Sequence, residues 1–166
     1  MSKIFTPKAE ARLTLRSRLT DLKLVWPWVD ALALEHSISP DTRYAIDLCL
    51  EEALSNIIRH GYGGEPNHAI NISFTRNGKK GLTFTIDDDA PHFAPDQPLG
   101  RGETSAHGNE MKPRELEDSE LNSGGHGLRL LRRFAGSLVW EQLPGGNRLT
   151  MTFPPAAADS DHSLPR

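Results

Sequence analysis

One long helix, marked by its own start and stop signals, most constrains how this chain can fold. Ser39 and Pro40 supply an N-cap and a proline at the first helical position, and Gly61 supplies a stop, so we predict a helix over residues 40–60. Apolar side chains recur at helical spacing along one face, namely Ile46, Leu50, Ala53, Leu54 and Ile57. That face must pack on a core, which leaves the other face available to a ligand.

A stripe of polar residues follows the other face of this predicted helix. Its four members share nearly the same azimuth at about 100° per residue: Glu52, Asn56, Arg59 and His60. A glutamate four residues before an asparagine can aim a general base at a hydroxyl, while the amide oxygen coordinates a hard cation such as Mg²⁺. The alternative interpretation is an ordinary solvated helix face.

Composition narrows the classes of protein to consider. At 166 residues the chain fits one domain that can bury a core without disulfides or a structural metal. The single cysteine, Cys49, excludes an intrachain disulfide and is more typical of a core residue than of a nucleophile. The net charge of -3 gives no global attraction to nucleic acid. Because no secretory signal or run of roughly 20 apolar residues is present, we expect a soluble cytoplasmic protein with no membrane contact.

The periodicity of the other segments predicts an α+β fold. A strand is expected at residues 12–16, and an amphipathic helix at about 21–36, where Pro27 requires the regular helix to begin near Leu24 or to kink. One hairpin is expected around an Asn77-Gly78 turn and another at the end of the domain. A third helix is expected at 128–135. We therefore predict a two-layer sandwich, with a mixed β-sheet and about three helices on one face.

Two segments lack periodicity. After Asp89 the pattern dissolves for about 35 residues, a length that is typical of a lid, a binding loop or disorder. We predict a domain over residues 10–153, a lid at about 96–123 and a disordered tail at 154–166.

A run of carboxylates ends the strand that follows Asn77-Gly78. Asp87, Asp88 and Asp89 precede Ala90, and at least two of three adjacent like charges should face solvent or a donor-bearing ligand. An acceptor at a strand end could take the exocyclic amine of adenine. A Ca²⁺ loop is disfavoured because the EF-hand spacing is missing, and a plain acidic turn remains the alternative.

A glycine cluster opens the third predicted helix, at Gly124, Gly125, His126 and Gly127. Glycines at a helix N-terminus allow close backbone approach to phosphate oxygens. The cluster is not a Walker A loop, because no Gly-Lys-Ser/Thr follows, and a flexible hinge is the alternative interpretation.

The order of these three motifs resembles the GHKL ATPase superfamily, with its Bergerat fold, and most closely the bacterial anti-sigma factor serine/threonine kinases. The resemblance covers residues 12–153 and rests on Glu52-Ala53-x-x-Asn56, His60-Gly61-Tyr62, Phe93-x-Pro95, Gly124-Gly125-x-Gly127-Leu128 and Gly145-Gly146-Asn147-Arg148-Leu149-Thr150. It departs at Ala90, where the family usually has glycine. A positive φ there would cost alanine about 1 kcal/mol or more.

The resemblance also implies residue roles. Glu52 would be the base that activates the acceptor hydroxyl, Asn56 the Mg²⁺ ligand and Asp88 the partner of the adenine amine. The remaining residues expected at ATP are Arg59, His60, Ala90, Gly124, Gly125, His126, Gly127, Leu128 and Thr150.

By the same resemblance we expect an ATP- and Mg²⁺-dependent protein serine/threonine kinase that acts as an anti-sigma-type switch. It would sequester a sigma-like factor and phosphorylate a serine or threonine of a small antagonist protein of the anti-anti-sigma type. A binding module without useful kinase activity is the alternative, and the catalytic domain of a histidine kinase is a third hypothesis. A homodimer face, if there is one, is expected on the first strand and helix, around Leu13, Leu15 and Trp26.

Overall fold

Five strands form one sheet in the computed structural model, which describes residues 9–78, 81–91, 131 and 133–155. The strands are β1 (Ala11–Arg16), β2 (Ala69–Arg76), β3 (Leu82–Asp88), β4 (Ser137–Leu143) and β5 (Gly146–Phe153). Their order across the sheet is β1-β2-β3-β5-β4. The two predicted hairpins are therefore confirmed, and β3 lies at the centre of the sheet.

All four pairings between these strands are antiparallel. The sequence predicted a mixed sheet, and the α+β class is confirmed with this difference in strand direction. β2–β3 and β4–β5 are hairpins, each made of two strands that follow one another in the chain, and the two strands of a hairpin are antiparallel. The register across the centre places Asp88 opposite Asn147 and Thr85 opposite Thr150.

The first helix begins at a residue that places Pro27 in its first turn. A 3-10 segment, Leu19–Leu24, leads into α1 (Val25–Glu35). Pro27 thus lies in the first turn of α1, where amide groups have no partner within the helix, so its missing N–H costs little. Of the two sequence alternatives, a start near Leu24 is correct.

The second helix, α2 (Pro40–Asn56), has the predicted cap. The Ser39 hydroxyl accepts a hydrogen bond from the amide of Thr42 at 3.2 Å, and Pro40 follows as the first helical residue. The α-helix ends at Asn56, four residues before the predicted end, and one π-helical turn, Ile57–Gly61, continues it.

The core lies between the helices and one face of the sheet. Buried positions alternate along β2 and β3. In this hairpin the ring centroids of Phe74 and Phe84 lie 5.1 Å apart. Trp28 of α1 packs edge-on against Phe84 at 5.9 Å. Cys49 of α2 is fully buried in this core, and burial raises the pKa of its thiol to about 12, as expected for a packing residue.

The third predicted helix lies mostly outside the described residues. Leu131, Arg133 and Phe134 are helical, and Leu131 is fully buried in the common core. Among the helices of the described ranges, none is long and apolar enough to cross a membrane.

Candidate functional site

The polar face of α2 carries a hydrogen-bonded pair. The Asn56 amide nitrogen donates to Glu52 Oε1 at 3.3 Å, and both side chains are half-buried. This bond turns the amide nitrogen of Asn56 towards Glu52 and its oxygen away from it. The structure therefore brings together the two residues of the stripe that were predicted to act as base and cation ligand.

Arg59 and His60 lie on the π-helical turn rather than on a continued α-helix. The amide of Tyr62 donates to the carbonyl of Ile57 at 2.9 Å, the i to i+5 spacing of a π turn. The wider turn moves Arg59 and His60 out of the azimuth that an α-helix would give them, and both are exposed. The predicted α-helix therefore ends before Arg59 and His60, and their role as phosphate neighbours stays a prediction.

The three consecutive aspartates at the end of β3 each have different donors. Asp87 receives two hydrogen bonds from the Arg148 guanidinium, at 2.6 and 2.8 Å. Asp88 is buried, and Asp89, with 61% of its side chain exposed, accepts from the Tyr62 hydroxyl at 2.6 Å. Asp87 and Asp88 are successive residues of β3, so their side chains point to opposite faces of the sheet.

Asp88 is a buried carboxyl group at the rim of the core. Its Oδ1 accepts hydrogen bonds from the Ala90 amide at 2.9 Å and from Asn147 Nδ2 at 2.9 Å. Burial raises the pKa of Asp88 above its ordinary value, although both of these hydrogen bonds lower it. Both bonds reach the same oxygen, so the other oxygen, Oδ2, is the one suited to accept from a ligand.

Ala90 adopts its position without backbone strain. Among the non-glycine residues that the structure describes, Ser37 alone has a positive φ, of 52°. Ala90 is instead buried, and its amide turns back to Asp88. The penalty expected for alanine at this position therefore does not arise.

Asn147 is a site residue that lies in one of the sequence motifs but to which the sequence analysis assigned no role. It is buried, and its Nδ2 donates to Asp88 Oδ1 and to the Ala90 carbonyl at 3.0 Å. The chain crosses very closely here, because a Cβ on Gly146 would lie 2.2 Å from the carbonyl oxygen of Asp88. The signal was present in β5: Leu149, Met151 and Phe153 alternate as core residues, and the same alternation places Asn147 inward.

Thr150 lies on the face of the sheet opposite to Asp88 and Asn147. Side chains alternate between the two faces along β5, and Asn147 and Leu149 face the core, so the Thr150 side chain points to the other face. It pairs with Thr85 on the face of the sheet away from the helices. Thr150, expected among the residues at ATP, therefore points away from the face that carries Asp88, and Asn147 is the β5 residue that contacts Asp88.

The glycine motif and its neighbours lie outside the described residues. This applies to Gly124, Gly125, His126, Gly127 and Leu128, to the predicted lid at 96–123 and to the Phe93-x-Pro95 motif. Their roles stay predictions.

Comparison with known proteins places the chain in a family. Residues 15–153 match the family described as "Histidine kinase-like ATPase domain". The chain belongs to the histidine kinase-like ATPase family. The superfamily predicted from the motifs is thereby confirmed.

A relative with a named activity is 32% identical to this chain over 126 residues. This relative is the serine/threonine-protein kinase BtrW of Bordetella bronchiseptica, and the alignment covers 75% of this chain and 80% of the relative. The resemblance to serine/threonine kinases that the motifs predicted is thus supported by a relative that is named as such a kinase.

A solved structure shows the same fold at low sequence identity. The RsbU and RsbW domains of Rv1364c from Mycobacterium tuberculosis superpose with a TM-score of 0.55 at 14% identity, over 90% of this chain. The chain spans about a third of that longer protein, 34% of its length. A histidine kinase domain from Erythrobacter litoralis has a TM-score of 0.49 at 15% identity, with 91% of this chain and 66% of the other covered.

The described residues of this family member fit a nucleotide with a bound cation better than a protein-only metal site. No group of three or more His, Cys, Asp or Glu side chains that could hold a metal ion occurs within the described ranges. Mg²⁺ commonly uses one or two protein oxygens together with phosphate oxygens and water, a role for which the oriented amide oxygen of Asn56 is suited. The buried Asp88 is a hydrogen-bond acceptor, with its Oδ1 already used by Asn147 and the Ala90 amide.

Proposed function

We propose that this protein is an ATP- and Mg²⁺-dependent protein serine/threonine kinase. The structural observation that carries the proposal is the buried Asp88 carboxyl, held by Asn147 and the Ala90 amide at the end of the central strand. The membership in an ATPase family and the relative named as a serine/threonine-protein kinase support it.

Asp88 is proposed to select adenine. The exocyclic N6 amine of adenine is a donor that the carboxylate can accept, whereas guanine presents the O6 acceptor at the corresponding position. Two acceptors facing each other in a buried place cannot form a hydrogen bond, so a guanine nucleotide would leave Asp88 unpaired. ATP is therefore favoured over GTP.

Glu52 and Asn56 are proposed to carry the chemistry. ATP would supply the phosphoryl group, and Mg²⁺ would offset the charge of the phosphates. The amide oxygen of Asn56 would hold the cation, while Glu52 would orient the acceptor hydroxyl and accept its proton. The exposed Arg59 and His60, at the end of the same helix, are proposed as neighbours of the phosphates.

The biological role is proposed from the resemblance of the sequence motifs to the bacterial anti-sigma factor serine/threonine kinases. The protein would sequester a sigma-like factor and phosphorylate a small antagonist protein, so that phosphorylation decides which partner is bound. The alternative of a binding module without kinase activity relied on strain at Ala90, and the unstrained φ at that residue removes this support.

A transfer experiment tests the kinase proposal. A lysate of the encoding organism is incubated with labelled Mg-ATP and the wild-type protein, Glu52→Gln or Glu51→Gln, and labelled sites are mapped by mass spectrometry. Glu51 is the matched control because it is the exposed neighbour of Glu52 on the same helix. We expect wild type and Glu51→Gln to label serine or threonine on a small protein.

The Glu52→Gln variant should bind Mg-ATP like wild type and lose transfer. Because the substitution removes the proposed general base, transfer is expected to slow by about 10²–10⁴-fold. Undiminished labelling by Glu52→Gln would exclude Glu52 as the base. Absence of labelling by the wild type at saturating ATP would contradict the kinase proposal.

A further inference from the structure

The segment that follows the π-helical turn is firmly attached to the end of α2. The amide of Tyr62 donates to Ile57 and its carbonyl accepts from the Glu65 amide at 3.1 Å. The Tyr62 ring is buried. Movement of Tyr62 is therefore tied to movement of the helix end that follows Asn56.

Tyr62 also reaches across to the loop after β3. Its hydroxyl donates to Asp89 Oδ1 at 2.6 Å and accepts a hydrogen bond from the Asp89 backbone amide at 3.1 Å. The two residues are 27 positions apart in the chain. A pair of reciprocal hydrogen bonds fixes both the side chain and the backbone of Asp89, which directly follows Asp88.

His68 holds the Tyr62 ring from its other side. The two rings stack with centroids 4.4 Å apart and planes inclined by 17°. The His68 amide donates to Ser17 Oγ at 3.1 Å, so the segment before β2 is also fastened to the end of β1. The tyrosine ring therefore has little freedom to turn its hydroxyl away from Asp89.

We propose that Tyr62 is a positioning residue that fixes the spacing between the two halves of the nucleotide site, the Glu52–Asn56 pair on α2 and Asp88 after β3. This inference rests on the proposed function. Asn147 holds Asp88 and Ala90 from the sheet side, and Tyr62 holds the next residue, Asp89, from the helix side. Burial and the hydrogen bond to Asp89 raise the pKa of the Tyr62 hydroxyl, so it stays protonated and remains a donor at neutral pH.

The first test measures the loop without nucleotide. Tyr62→Phe keeps the ring and its stack on His68 but removes the hydroxyl, and amide hydrogen exchange is followed by NMR. We expect exchange at the Asp89 amide to become about tenfold faster, since that amide loses its acceptor. Tyr44→Phe is the matched control, because Tyr44 is an exposed tyrosine on α2. Unchanged exchange at Asp89 in Tyr62→Phe overturns the proposal.

The second test measures Mg-ATP affinity by calorimetry. Tyr62→Phe and Asp89→Ala are each expected to weaken binding by about threefold to tenfold. The double variant should be no weaker than Tyr62→Phe, because Tyr62→Phe already removes both hydrogen bonds between the two residues. Asp89→Asn keeps the Oδ1 acceptor and should bind within about twofold of wild type. Additive losses, or an unchanged affinity in Tyr62→Phe, overturn the positioning role.

The two tests separate this inference from the proposed function. If wild type fails to bind Mg-ATP, the proposed function and the positioning role at a nucleotide site are both wrong. The exchange measurement then still decides whether Tyr62 holds the Asp89 loop. If wild type binds and Tyr62→Phe binds equally well, only the inference fails.

Discussion

The side-chain nitrogen of Asn147 lies 2.9 Å from Oδ1 of Asp88. This buried hydrogen bond joins the last hairpin to the end of the central strand. The same nitrogen donates to the Ala90 carbonyl, so one buried amide uses both of its N–H groups on the Asp88 loop. The geometry of the proposed adenine-binding carboxyl is therefore set by a residue 59 positions away in the chain.

Removal of this amide should destabilise the protein. Asn147→Ala leaves Oδ1 of Asp88 and the Ala90 carbonyl each with one donor fewer in a buried place, so we expect the free energy of unfolding to fall by about 1–3 kcal/mol. Urea unfolding at pH 7 measures this change. Asn71→Ala is the control, because Asn71 is exposed and its bond from Thr14 is on the surface, and the change there should stay within about 0.5 kcal/mol. Equal losses in the two variants would contradict the role of Asn147.

The buried carboxylate of Asp88 should lower the free energy of unfolding at neutral pH. Its folded-state pKa lies above the ordinary value of 3.8, mainly because of burial, so the folded protein binds this proton more tightly than the unfolded chain does. The resulting contribution to stability is complete below pH 3.8 and is lost as the pH rises through the folded-state pKa.

Asp88→Asn is therefore expected to be more stable than wild type at pH 7, by an amount that shrinks as the pH is lowered towards the ordinary pKa of the carboxyl. Urea unfolding across this pH range provides the measurement. Asp87→Asn should show the opposite sign at pH 7, with a loss of up to about 1 kcal/mol, because it weakens a partly exposed pair with Arg148. A destabilised Asp88→Asn at neutral pH would argue against a burial penalty at this residue.

Gly146 should not tolerate a methyl group. A Cβ at this position would lie 2.2 Å from the Asp88 carbonyl oxygen, so Gly146→Ala must push the β5 backbone away from the loop. We expect a loss of about 1–3 kcal/mol in urea unfolding. At Gly136 the nearest atom to a Cβ is 3.4 Å away, and Gly136→Ala should change stability by under about 0.5 kcal/mol. If the two alanine variants unfold alike, the close crossing at Gly146 is not what constrains this turn.

The element boundaries that local signals determine were predicted well. The Ser39-Pro40 start of α2 and both hairpins are found as predicted, because caps and short turns depend on neighbouring residues. The π turn after Asn56 was not predicted, since every residue from Ile57 to His60 is compatible with an α-helix. Its wider spacing goes with the burial of Ile57, Ile58 and Tyr62, which is a tertiary effect.

The candidate site was predicted in part. Glu52 and Asn56 meet because both lie on one α-helix, where spacing determines proximity. The Asp88–Asn147 and Asp89–Tyr62 contacts depend on strand register and on the path of a loop, which local patterns do not determine. Thr150 was misplaced because the motif was followed without the period-2 alternation of β5.

Calorimetric titration with Mg-ATP tests the central claim, that Asp88 binds the adenine of ATP, most directly. We expect wild type to bind Mg-ATP, to bind Mg-GTP much more weakly, and to lose about tenfold to a hundredfold in ATP affinity on Asp88→Asn, while far-UV circular dichroism of the variant stays unchanged. Absence of binding by wild type at millimolar Mg-ATP, or equal affinity of wild type and Asp88→Asn, would contradict the account.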